Sequence, residues 1–230
     1  MRWALFLATV AAYLACRQAA GIWFKADLGE AQWRRMSYPA EAALFGPLRG
    51  LGADVQVIRA AAIYYDITKG VFDDPEGGWR LLMATLADGA RFDPWDRNVY
   101  RLTMGLCAFH EGTRDAALAL LQRGARLRRH DWEIPFIAGF LYHLLAHDDQ
   151  QAARLLRIAA ERPGASIVAR RLAASFLAKT HGVEEAVRFL LALRQRMPKS
   201  QRALIDAKIR QLCHNARCPQ EVRREVGNGQ

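Results

Sequence analysis

The sequence lacks most of what would announce chemistry. It has 4 cysteines in 230 residues, Cys16, Cys107, Cys213 and Cys218, too few and too scattered for a disulfide framework. Runs rich in Val, Ile and Thr are nearly absent, which argues against a sheet. No glycine loop follows a strand to cradle phosphate: Glu76-Gly77-Gly78-Trp79 has no Lys-Ser/Thr after it. No Cys-x-x-Cys-His for haem attachment is present. His143 and His147 share a helix face, but no Glu follows His143 and no third metal ligand is evident. No Ser/His/Asp arrangement can be assembled. The chain therefore reads as a non-enzyme, with no cofactor expected.

What is present points to helices. The composition is 52% hydrophobic and 24% charged, that of a globular chain. Its apolar part leans on Ala and Leu, both good helix formers. The net charge of +10 is uneven. Residues 1–100 carry 11 Lys/Arg against 11 Asp/Glu, and residues 101–230 carry 22 against 12, so the whole excess lies in the C-terminal part. An Arg-rich solvated helix face accounts for it. Attraction to an acidic protein, an anionic lipid surface or nucleic acid is the other reading.

The N-terminus carries a membrane signal. Met1-Arg2 precedes Trp3 to Cys16, a stretch without charge, and a second apolar patch runs from Ala19 to Phe24. A full span needs about 20 residues, which Trp3 to Phe24 supplies with Arg17 snorkelling near one end. The reading preferred is an uncleaved signal anchor over residues 1–24. A cleaved signal peptide and a lipoprotein attached through Cys16 are the alternatives. The expected location is a bacterial inner membrane, single-pass, with a periplasmic body. Cys213 and Cys218 could then form a short local disulfide, remain free thiols or contribute to a metal site.

Internal self-similarity is the strongest signal. Gly89-Ala90-Arg91-Phe92 recurs as Gly124-Ala125-Arg126-Leu127, 35 positions later. Gly105 recurs as Gly139 after 34 positions, and the next step lands on Ala173. Pro163 and Pro198 are 35 apart; Ala117, Ala152 and Ala186 make another column. A period of 34 belongs to the tetratricopeptide repeat, a pair of antiparallel helices. Small residues such as Gly105, Gly139 and Ala117 would let the backbones approach, and proline would stop the second helix of each pair.

These columns, with Asp131-Trp132-Glu133-Ile134-Pro135-Phe136 and Gly139-Phe140-Leu141-Tyr142, resemble bacterial tetratricopeptide-repeat (TPR) proteins that begin with a hydrophobic anchor. The resemblance implies an all-α TPR α-solenoid of about four helix pairs, with an N-terminal anchor helix and a C-terminal capping helix. Residues 25–52 would be a linker and short helix, 53–213 the repeats and 214–230 a polar tail. The loop of the first pair would be Phe72 to Gly78, longer than the family's. Ser200 would cap the last helix, Gln201 to Leu212.

In such arrays the first helix of each pair lines the face where partners sit. That places Tyr64 and Tyr65, Leu102, Leu106, Phe109 and His110, Phe136, Phe140 and His143, and Arg170 and Leu177 in a partner groove, apolar and aromatic with a few polar handles. Such a groove suits an amphipathic helix or an extended apolar peptide. The other reading of the aromatics is plain core. A protein partner is expected rather than nucleic acid. The role implied is a scaffold in a bacterial envelope complex for transport, secretion or pilus assembly. Two alternatives are an accessory structural subunit of a membrane enzyme or electron-transfer complex, and a binder of anionic polymer through the basic half.

Overall fold

Helix starts and stops are written in the sequence by proline, glycine and short polar side chains. Pro75 opens a helix at its first turn, where its missing N–H costs nothing. Asp96, Asp148 and Ser166 each accept a backbone N–H at a helix N-terminus. The structure, a computed structural model, describes residues 37–214. Ten α-helices follow one another, and no strand occurs among the described residues. They are α1 (Tyr38–Phe45), α2 (Arg49–Thr68), α3 (Pro75–Phe92), α4 (Arg97–Leu102), α5 (Arg114–Leu127), α6 (Glu133–Ala146), α7 (Asp149–Glu161), α8 (Ile167–His181), α9 (Val183–Gln195) and α10 (Lys199–His214). A π-turn, Thr103–Cys107, continues α4, and a 3-10 turn, Glu111–Thr113, precedes α5.

Substantial packing joins elements adjacent or next-but-one along the chain: α2 with α3, α6 with α7, α7 with α8, α8 with α9. The helices therefore stack in chain order as pairs. The second helices α5, α7 and α9 begin at Arg114, Asp149 and Val183, at steps of 35 and 34. Two apolar clusters fill the stack. One centres on Ile63, Leu82, Leu86, Tyr100, Leu121 and Ile134, and the other on Leu156, Leu177, Leu190, Ile205 and Ile209.

The small-residue columns have a packing reason, with one correction. A Cβ on Gly124 would collide with the Tyr100 ring, and one on Gly89 would press on Val99 and Gln56. Gly139 lets α6 lie on α7; its Cβ would stand 2.9 Å from Leu156 Cγ and 3.1 Å from the Ala152 carbonyl. Gly105 does no such thing: it is exposed, with nothing within 4 Å of where a Cβ would be. It lies inside the π-turn, whose wider coil breaks the register that carries Gly139 into its interface.

Several boundaries move. The first pair begins at Arg49, not near Ala53, and its loop ends at Asp74. Gly77 and Gly78 are helical because Pro75 sets the first turn, and Gly78 fits against Phe72 and Ile67. The last helix spans Lys199–His214, so Ser200 lies within it rather than capping it. No helix among the described residues is long and apolar enough to cross a membrane. The expected anchor at residues 1–24, like Cys16, Cys218 and most of the 214–230 tail, lies outside the described residues.

Candidate partner-binding site

Each first helix has a face turned away from the second helix of its pair. On α2, Gly52, Ala53, Gln56, Ala60 and Ile63 are buried. Leu51, Ile58 and Tyr65, each seven residues from the next, occupy the opposite line and are exposed by 52, 70 and 60%. Phe109 just beyond α4, and Phe140 and Leu144 on α6, are exposed by 55, 43 and 45%. On α8 the exposed positions include Val168, Arg171 and Lys179.

Side-chain contacts link α4, α6, α8 and α10 in turn. Arg101 on α4 forms a bidentate pair with Glu133 on α6, at 2.9 Å to each carboxylate oxygen. The His143 ring on α6 meets Phe176 on α8 edge-on at 4.7 Å. Arg170 on α8 donates to Gln201 on α10.

The structure sorts the expected groove residues into three groups. Tyr65, Phe109 and Phe140 are exposed and available for contact. Leu102 and Leu106 are half-buried supports packed on the first core cluster. Phe136 leans on Trp132 and on the second cluster. Tyr64 lies edge-on to Trp79, which stacks on His110 at 4.3 Å, and His110 Nε2 is 3.3 Å from Glu76. His143 Nδ1 is 2.6 Å from Asp149, whose other oxygen meets Lys179. Those contacts, Lys179 first and His143 second, hold the Asp149 carboxyl below its usual range. Arg170 is a strut rather than a handle, half-buried and directed at the Ala160 carbonyl and Gln201.

Leu177 is a correction. It is 2% exposed and belongs to the core, where its edge touches only a hollow beside Asp148, Gln151 and His181. Its neighbours Ala173, Ala174 and Phe176 are buried with it, so the position is on the packing side of α8. A second hollow lies between α3 and α5, lined by Ala84, Ala87, Ala116 and Ala119, with Arg80 and Arg123 at its rim.

Sequence reasoning passed over Leu51 and Ile58, although their seven-residue step to Tyr65 is legible. It also passed over an arginine column. Arg128, Arg162 and Arg196 stand 34 apart. Arg128 reaches back to the Trp95 carbonyl and holds Asp131 at 2.8 Å. Arg162 donates to the carbonyls of Ala125, in the last turn of α5, and of Arg128 and Asp131 just beyond it. Burial of Asp131 works to raise its pKa. Hydrogen bonds from Arg128 and the Glu133 N–H, with the charges of Arg128 and Arg97, outweigh it and leave the pKa lowered.

Two cysteines are settled in state. Cys107 is free and fully buried, and burial pushes its thiol up to about 12. Cys213 is disulfide-bonded. Among the described residues no group of three or more His, Cys, Asp or Glu is placed to hold a metal ion.

No family model, curated protein or solved structure matches the chain. The reading of this face therefore rests on its own chemistry. The first helices carry exposed apolar and aromatic side chains, with an ion pair between α4 and α6.

Proposed function

We propose that this protein is a membrane-tethered TPR scaffold that holds another protein on the exposed face of its first helices, within a bacterial envelope complex for transport, secretion or pilus assembly. The observation that carries the reading is that Leu51, Ile58, Tyr65, Phe109, Phe140 and Leu144, large apolar side chains on or just after the first helices of the pairs, are exposed. A monomer gains nothing from so many apolar groups in water, and an interaction surface is what such exposed side chains would serve where they come together. The 34-residue spacing of the helix pairs supports the TPR assignment. The disulfide at Cys213 favours an oxidising compartment such as the envelope. Residues 1–24 would supply the tether.

The face gives a cleaner test than the core. Ile58 and Phe140 are exposed enough to change without unfolding the stack; substitutions at such positions usually shift stability within about 0.5 kcal/mol. The full-length protein is purified from its native membranes in mild detergent, with and without Ile58→Glu and Phe140→Ser. A stoichiometric protein partner that is lost from both variants, at unchanged melting temperature, is the expected result. Retention of the partner by both variants sinks this face as the site. A partner carrying redox or metal cofactors would favour the accessory-subunit reading. A protein that emerges alone even after crosslinking contradicts the scaffold.

A further inference from the structure

The helix α1 is built inside out. Its buried side chain is an acid, Glu41, 2% exposed and held by Gln56 at 2.6 Å and Arg59 at 2.7 Å. Tyr38 and Phe45 lean on the Phe92 ring, with centroids 5.0 and 5.5 Å away. Leu44 meanwhile is 71% exposed, and Leu48, four residues on, 60%. Leucine is commonly buried and glutamate rarely, so this end of the stack reverses the usual pattern.

The chain itself keeps the exposed groups together. α1 ends at Phe45, Gly46 turns the backbone at a φ of +47°, and the Leu48 N–H donates to the Phe45 carbonyl at 2.8 Å. Ala43, Leu44, Pro47 and Leu48 are thus exposed around one tight turn, with Arg49 exposed beside them. Between residues 31 and 52 the only acid is the enclosed Glu41, whereas Arg34, Arg35 and Arg49 are cations.

The chain that leads to this turn indicates what covers it. The apolar run expected to be the anchor ends at Phe24, 13 residues before Ser37. That length spans at most about 47 Å when fully extended. The turn then follows one helix of 8 residues, about 12 Å long. α1 packs on α2, whereas α10 packs on α8 and α9, so the tether joins the stack at the end that carries the turn. An anionic lipid surface attracts basic residues next to an anchor, and apolar side chains among them enter the interface.

We infer that the turn between α1 and α2 is a membrane-contact site, where Leu44 and Leu48 enter the interface of an anionic bilayer and Arg49 meets lipid phosphates. The inference rests on the tethered part of the proposed function. It adds that the stack is seated on the bilayer by one end rather than only strung from it.

The experiment uses the full-length protein in vesicles of phosphatidylethanolamine and phosphatidylglycerol with brominated acyl chains. A fluorescent amino acid replaces Leu44, Leu48 or, as a control, Leu204 on α10, which is 46% exposed. Bromine should quench the probe at Leu44 and at Leu48 but not at Leu204. With the probe at Leu48, Arg49→Gln should lower the ratio of docked to free probe about fivefold at unchanged melting temperature. Replacing phosphatidylglycerol by phosphatidylcholine should lower it further. Absence of quenching at Leu44 and Leu48, in protein that stays in the vesicles after an alkaline carbonate wash, overturns this inference and leaves the tether standing. Equal quenching at Leu204 overturns it too, as does shielding of the Leu48 probe by a second copy in a crosslinked dimer. Quenching indifferent to both Arg49→Gln and lipid charge overturns the anionic surface. Protein that the carbonate wash strips from the vesicles overturns the tether, and this inference with it.

Discussion

At the scale of single residues, the two glycines of one column should behave oppositely. Gly139→Ala puts a methyl against Leu156 and the Ala152 carbonyl, where a neighbouring helix backbone must yield. Overpacking of this kind costs about 1–3 kcal/mol. Gly105→Ala meets open space in a helical conformation and should be neutral or gain up to about 1 kcal/mol. Urea unfolding of both variants checks the pair, and equal effects would contradict the packing account. Asp131 makes a second case. It is buried, bound by Arg128 and Arg97, and its pKa is lowered. A depressed carboxylate contributes stability above its unfolded pKa, about 3.9, and loses it as pH falls through the lower folded value. Asp131→Asn should therefore flatten the acid limb of a stability-against-pH curve. At neutral pH it should cost about 3–5 kcal/mol, because Arg128 stays buried without its partner.

At the scale of elements, local signals and bridges between helices contribute different amounts. Ser166 caps α8 by accepting the Ala169 N–H at 3.1 Å, so Ser166→Ala should cost about 1 kcal/mol in thermal unfolding. The Arg101–Glu133 pair joins α4 to α6 at the surface, with 46 and 27% of the side chains exposed. A double-mutant cycle should return a coupling of only about 0.2–1 kcal/mol, reduced further by salt. The half-buried counterpart is Arg162, which follows α7 and donates to three carbonyls at and just beyond the end of α5. Arg162→Met keeps the apolar stem and removes the side-chain donors to those carbonyls, and it should lower the melting temperature more than loss of Arg101. The turns around Asp148, Ser166 and Gly182 are easy to anticipate from local chemistry, whereas Pro75 reads as loop although it opens a helix. The π-turn at Thr103–Cys107 is not anticipated, since no proline or capping side chain marks it; Cys107 and Ala108 at its end are fully buried.

At the scale of the whole molecule, packing between chain neighbours makes stability a sum of local units and their interfaces. Reducing the disulfide at Cys213 should then speed amide exchange in α10 and α9 well before it affects α2 to α5, a gradient that exchange mass spectrometry would resolve. Uniform acceleration along the chain would mean one cooperative body instead. The sequence by itself determined that the chain is helical, that it repeats with a period of about 34, and where most helices begin and end. Those properties follow from propensity, capping and periodic small residues, which act over a few positions or recur at a fixed step. It also brought Tyr65, Phe109 and Phe140 to notice as candidate contacts. Only the tertiary structure decided that Leu177 is core, that Arg170 is a strut, that Gly105 faces solvent and that Leu51 and Ile58 complete the exposed row. Which side of a helix meets water depends on where the neighbouring helices lie, and a one-residue change of register, such as a π-turn introduces, moves a side chain by about 100° around the axis.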